Sequence, residues 1–111
     1  MSRLAGFVLA LALLAVLPAS AQAATCSPPK FPGSGYFTSL KATKVSCSEA
    51  SKVALAYNKC RTKKGVSGRC TSRVRNYGCT EKRTTISTEI NGRVSCKRGS
   101  RKVEFTYQQN T

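Results

Sequence analysis

Six cysteines constrain this chain more than any other feature: Cys26, Cys47, Cys60, Cys70, Cys79 and Cys96. An even number in a short chain predicts three disulfides if the chain folds in an oxidising compartment. A metal site fits poorly, because there is no Cys-x-x-Cys pair and no histidine anywhere in the 111 residues.

The N-terminus supplies the compartment. Arg3 precedes an uninterrupted apolar run from Leu4 to Leu17, and Pro18 ends it. The run is too short to span a bilayer, and Ala21-Gln22-Ala23 is a small-x-small cleavage pattern. Residues 1–23 therefore read as a secretory signal peptide, with an uncleaved membrane anchor as the competing reading. Cys26 lies too late for a lipid-attachment cysteine. Removal of the leader leaves 88 residues with 18 Lys and Arg against four Glu, a net charge of +14. Only 13 of those residues are Leu, Ile, Val or Phe, a proportion at which a highly charged chain without cross-links stays disordered. The disulfides are thus expected to be a condition of folding.

Residues 24–35, with Pro28, Pro29, Pro32, Gly33 and Gly35, read as an extended N-terminal arm, tied down only if Cys26 is bonded. Residues 36–111 read as a single small domain. Tyr36 to Val45 is a predicted strand with Tyr36, Leu40 and Ala42 on one face. Ser46-Cys47-Ser48-Glu49 is a capping box, in which the Ser46 hydroxyl accepts the Glu49 N–H and Glu49 reaches back. Cys47, Ala50, Val53, Ala54, Tyr57 and Cys60 follow at helical spacing and predict a helix over 47–60. Lys59 and Arg61 would complement its C-terminal dipole. Residues 61–71 read as a loop. Strands follow over 74–83, 90–96 and 103–107, with a turn at Lys97-Arg98-Gly99-Ser100. The expected fold class is α+β, in the order β-α-β-β-β, one helix packed on a small, mostly antiparallel sheet.

Asn91-Gly92 is a strong hairpin signal. Ile90, Val94 and Cys96 keep one parity across it, which favours a continuous strand with a bulge at Gly92, but the turn stays open as the alternative. If the second strand climbs where the helix descends, the topology pairs Cys47 with Cys79, Cys60 with Cys96 and Cys26 with Cys70. A local Cys60–Cys70 bridge is the main rival.

The succession Gly35-Tyr36-Phe37, Val45-Ser46-Cys47, Val53-Ala54, Tyr57, Cys60-Arg61, Tyr77-Gly78-Cys79, Val94-Ser95-Cys96-Lys97-Arg98-Gly99 and Tyr107-Gln108-Gln109 resembles small exported six-cysteine proteins of actinobacterial type. The resemblance covers most of the mature chain. It implies a secreted, cysteine-stabilised fold and carries neither an activity nor a functional residue.

Enzyme chemistry lacks parts. Without His or Asp there is no Ser-His-Asp or Cys-His unit. The expected fold is similar to that of small secreted ribonucleases, but those need a His as general acid. Glu81, Glu89 and Glu104 read as members of ion pairs on a solvated sheet, not as a glycosidase pair. No cofactor is expected.

Charge remains. Lys59, Arg61, Lys63, Lys64, Arg69 and Arg73 form one basic cluster, and Lys97, Arg98, Arg101 and Lys102 form another. The expected topology merges them into one pole opposite Glu49. That pole would bind anionic polymers: cell-wall polymers, lipid headgroups or extracellular nucleic acid. The competing function is a protein-binding module, for example an inhibitor of an extracellular hydrolase acting through loop 61–71.

Overall fold

In the computed structural model, which describes residues 22–111, the capping signal is where the chain first commits to a direction. Ser46 Oγ accepts the Glu49 N–H at 3.1 Å, and helix α1 runs from Cys47 to Arg61. Only half of the box forms. The Glu49 carboxylate turns instead to Arg75, which donates to it from Nε and Nη2 at 2.9 Å each. The signal-peptide reading lies, but for its last two residues, outside the described residues.

Five strands make one sheet in the order β1-β2-β5-β4-β3: β1 (Ala24–Thr25), β2 (Gly35–Thr43), β3 (Gly78–Ile86), β4 (Glu89–Arg98) and β5 (Arg101–Asn110). Every pairing is antiparallel. The fold is α+β, as the hydrophobic periods imply, with α1 on one face of the sheet. The core includes Leu40, Ala42, Ala50, Val53, Ala54, Tyr57, Tyr77, Ile90, Val94, Val103, Phe105 and Tyr107, together with residues of the arm. The arm is not loose. Ala24 and Thr25 pair with β2, Cys26 bonds to Cys47, and the buried Phe31 ring meets Phe37 edge-on at 5.0 Å.

Three local expectations change. A bulge between Phe37 and Ser39 switches the parity of β2, so Phe37 joins Leu40 and Ala42 inside while Tyr36 is 63% exposed. Strand β3 starts four residues later than expected, because Val74 and Tyr77 first close a tight turn with left-handed Arg75 and Asn76. Strand β4 runs straight through Asn91-Gly92 in unbroken register, with no bulge; the hairpin is at Ser87-Thr88, which has no glycine to announce it. The next hairpin, at Gly99-Ser100, has φ +57 at Gly99, the left-handed first position that a II′ turn requires.

The disulfide pairing expected from topology is wrong. The bonds are Cys26–Cys47, Cys60–Cys70 and Cys79–Cys96. The reason is the direction of β3. Helix α1 ends at the end of the sheet where β2 begins, and residues 62–77 carry the chain back to the other end before β3 starts. Strand β3 therefore descends, and Cys79 lies directly opposite Cys96 on β4.

Candidate anion-binding surface

The same reversal separates the two basic clusters. Lys59, Lys63 and Lys64 stay at the C-terminal end of α1. Lys97, Arg98, Arg101 and Lys102 lie on the β4–β5 hairpin at the opposite end, where Arg98 and Arg101 share a concavity with Glu49, Lys44 and Arg75. Arg73 sits on the return path and donates to the Asn76 carbonyl. There is no single basic pole.

Arg61 leaves the set altogether. It is 1% exposed, with its guanidinium carbon 4.3 Å from the centroid of the Tyr107 ring. Its Nη1 donates to the Val66 carbonyl, and its Nη2 donates to Asn58 Oδ1 and Gln109 Oε1. The signal was in the stripe: Ala50, Val53, Ala54, Tyr57, Asn58 and Arg61 continue one helical face, and all are buried.

Beside Arg61, Glu81 is 4% exposed at its side chain and is not a solvated surface acid. Its Oε1 accepts from Tyr57 and Tyr107, and its Oε2 accepts from Arg83 Nε at 2.6 Å. Arg83 also donates to the carbonyls of Ser67 and Gly68. Two arginines thus strap residues 66–68 from beneath, and the Cys60–Cys70 bond closes the loop at its base. Exposed Arg69 reaches the Glu81 carboxylate at 3.7 Å. Burial and the Glu81 charge hold the Tyr57 phenol far above its ordinary pKa, and burial followed by the bond to Glu81 raises Tyr107 likewise. This cluster is a polar core whose carboxylate has no free approach for a substrate.

Among the described residues, no element covers the opposite face of the sheet. Alternation places Lys41 of β2, Lys102, Glu104, Thr106 and Gln108 of β5, Glu89, Asn91, Arg93, Ser95 and Lys97 of β4, and Thr80, Lys82 and Thr84 of β3 on that side. Cross-strand register sets Lys82 beside Arg93, and Lys97 beside Lys102. Arg93 and Lys82 line two shallow concavities of about 470 and 360 Å³. Among the described residues, Lys41, Lys82, Arg93 and Lys97 have no ion-pair partner, whereas Glu104 pairs with Lys102. Arg75 holds the Glu49 carboxyl below its usual range by its hydrogen bonds, so that acid too is engaged. The sequence reading missed Lys41, Lys82 and Arg93 because they are scattered along the chain; strand parity was the signal that could have grouped them.

All six cysteines are in disulfides, so no thiolate is free to hold a metal or cofactor. No helix among the described residues is long and apolar enough to cross a membrane. Comparison with protein-family models, with curated proteins and with solved structures gives no match.

Proposed function

We propose that this is a secreted, cationic, non-enzymatic binding module for anionic polymers at or outside the cell surface, and that it binds them on the open face of the sheet. One observation carries the reading. Three of the four acids, Glu49, Glu81 and Glu104, are held by arginine or lysine, while, among the described residues, Lys41, Lys82, Arg93 and Lys97 carry no ion pair on a face that no element covers, with Glu89 at its edge. These four cations outnumber the one unpaired acid described on the face, Glu89, and like charges brought together repel, a cost that an anionic partner removes. The saturated, buried state of Glu81 supports the absence of acid–base chemistry. Three disulfides and the apolar N-terminal run support export.

The test is binding of heparin and of polyphosphate to the oxidised mature protein across a salt series. Affinity should fall steeply with salt. The K82Q/R93Q variant should bind more weakly at every salt concentration, with a shallower slope. Equal binding by variant and parent overturns the assignment of the face.

A second reading rests on loop 61–71. Its disulfide and its two arginine straps make it rigid, as an inhibitory loop inserted into a hydrolase cleft would be. However, Thr62–Lys64 is a 3-10 turn, so Lys63 and Lys64 are not presented on extended backbone. Binding of this kind would be governed by shape and lose little with salt.

A further inference from the structure

We propose that the open sheet face is built for an acidic polysaccharide, a chain of sugar rings bearing carboxylate or sulfate groups. The inference rests on the polymer-binding reading above and names the class of polymer. Cross-strand register arranges the face in rows. One row is Tyr36–Gln108–Asn91–Thr84: a phenol, two amides and a hydroxyl, without charge. The next is Ser39–Thr106–Arg93–Lys82, hydroxyls at one end and cations at the other. Beyond it Lys41 faces Glu104, which faces Ser95.

A face that read charge alone would have no use for the uncharged row. Asparagine is disfavoured in strands, yet Asn91 occupies an interior strand with its side chain exposed and makes no contact that the core needs. An amide offers both donors and an acceptor, the complement of adjacent sugar hydroxyls, which also donate and accept. Tyr36, exposed at the end of that row, offers an aromatic face to the apolar side of a ring. The two concavities share Lys82, Arg93 and Thr106, and the second adds Asn91 and Thr84, so they join into one furrow that runs from the charged row into the Asn91 end of the uncharged one, a shape suited to a chain. Nucleic acid fits less well. Sheets that bind single strands stack bases on several aromatics, and this face shows one.

The test uses the disulfide-intact mature protein and three probes at one ionic strength: an oligogalacturonate, a polyphosphate and a single-stranded DNA of matched charge. Far-UV circular dichroism confirms that each variant is folded. N91A and Q108A should each weaken oligogalacturonate by about tenfold while changing polyphosphate by less than about twofold. K82Q/R93Q should weaken both. If oligogalacturonate binds no better than polyphosphate and ignores N91A and Q108A, the face reads charge alone; this inference falls and the polymer-binding reading stands. If the DNA binds most tightly and Y36A abolishes that preference, the polymer is a nucleic acid and the inference is overturned. If no probe binds saturably, both readings fall together.

Discussion

The Tyr107 ring lies flat across Gly92 on the neighbouring strand, so close that a Cβ on Gly92 would overlap two ring carbons and stand 2.8 Å from the hydroxyl. This is why glycine sits in the middle of β4, where it signals a turn that does not exist. The ring has nowhere to go. Its face carries Arg61, and its hydroxyl is held by Glu81 and Arg83. Gly92→Ala should therefore destabilise the fold by about 2 kcal/mol through overpacking. Thermal unfolding should show a fall of roughly 8–16 °C for a domain of this size. An unchanged melting temperature would mean that the ring can shift at little cost.

The Tyr57 and Tyr107 phenols make stability fail on the alkaline side. Both have pKa values raised in the folded state, Tyr57 by burial and the Glu81 carboxylate, Tyr107 by burial and its bond to that carboxylate. A raised pKa gives stability that is complete below the unfolded value, about 10 for tyrosine, and lost as pH rises from there through the folded value. Denaturant unfolding measured from pH 8 to 12 should show the loss beginning near pH 10, and Tyr57→Phe should flatten that dependence. The same slope in the variant would remove Tyr57 from the explanation.

Arg61 should matter to the loop before it matters to the helix. Its removal leaves the Val66 carbonyl, Asn58 Oδ1 and Gln109 Oε1 without their donor. Arg61→Gln should cost about 2–4 kcal/mol, the consequence of leaving buried neutral acceptors without a donor. Amide exchange should rise first across residues 66–69, because their other anchors are few: Arg83, the Gly68–Gly65 backbone bond, the exposed Arg69–Glu81 pair and the Cys60–Cys70 bond. Loss of protection in α1 ahead of the loop would contradict this order.

What was legible in the sequence was local. Ser46 and Glu49 announced the start of α1, and strand parity identified the insides of β4 and β5. What was not legible depended on where the chain goes between elements. Nothing in residues 62–77 states that they cross from one end of the sheet to the other, and from that one reversal follow the disulfide partners and the division of the basic pole. Arg61 and Glu81 were misplaced for a different reason. Charged residues are almost never fully buried unless paired, and their partners, Asn58, Gln109, Tyr57 and Tyr107, come from separate elements.

The disulfides should decide whether there is a fold at all. They close intervals of 21, 10 and 17 residues. Loop-closure entropy assigns each about 3 kcal/mol, together comparable to the whole stability of an ordinary domain. The reduced protein comprising residues 24–111 should therefore show no cooperative thermal transition by far-UV circular dichroism at neutral pH. A retained transition would show that the buried cluster around Phe105 suffices without cross-links. Mapping of unreduced peptides should recover Cys26–Cys47, Cys60–Cys70 and Cys79–Cys96, and no peptide joining Cys47 to Cys79.

The two basic clusters lie at opposite ends of the domain. Lys97 and Lys102 face each other on the open side of the sheet, continuous with Lys82 and Arg93, whereas Lys63 and Lys64 lie at the far end of the helix. A polymer seated on the open face should thus sense the hairpin and ignore the loop. Gln substitution of Lys97 and Lys102 together should weaken heparin binding and reduce the magnitude of the salt slope, by roughly 0.7–0.9 per lost contact if the probe is a nucleic acid. The exposed Lys102–Glu104 pair contributes little to stability, so the fold should survive. Gln substitution of Lys63 and Lys64 removes the same formal charge, so it controls for long-range attraction, which acts mainly on association rate and is screened within about 8 Å at physiological salt. Equal losses from the two double variants would mean that net charge alone drives binding. A larger loss from the Lys63 and Lys64 variant would move the binding surface to the loop.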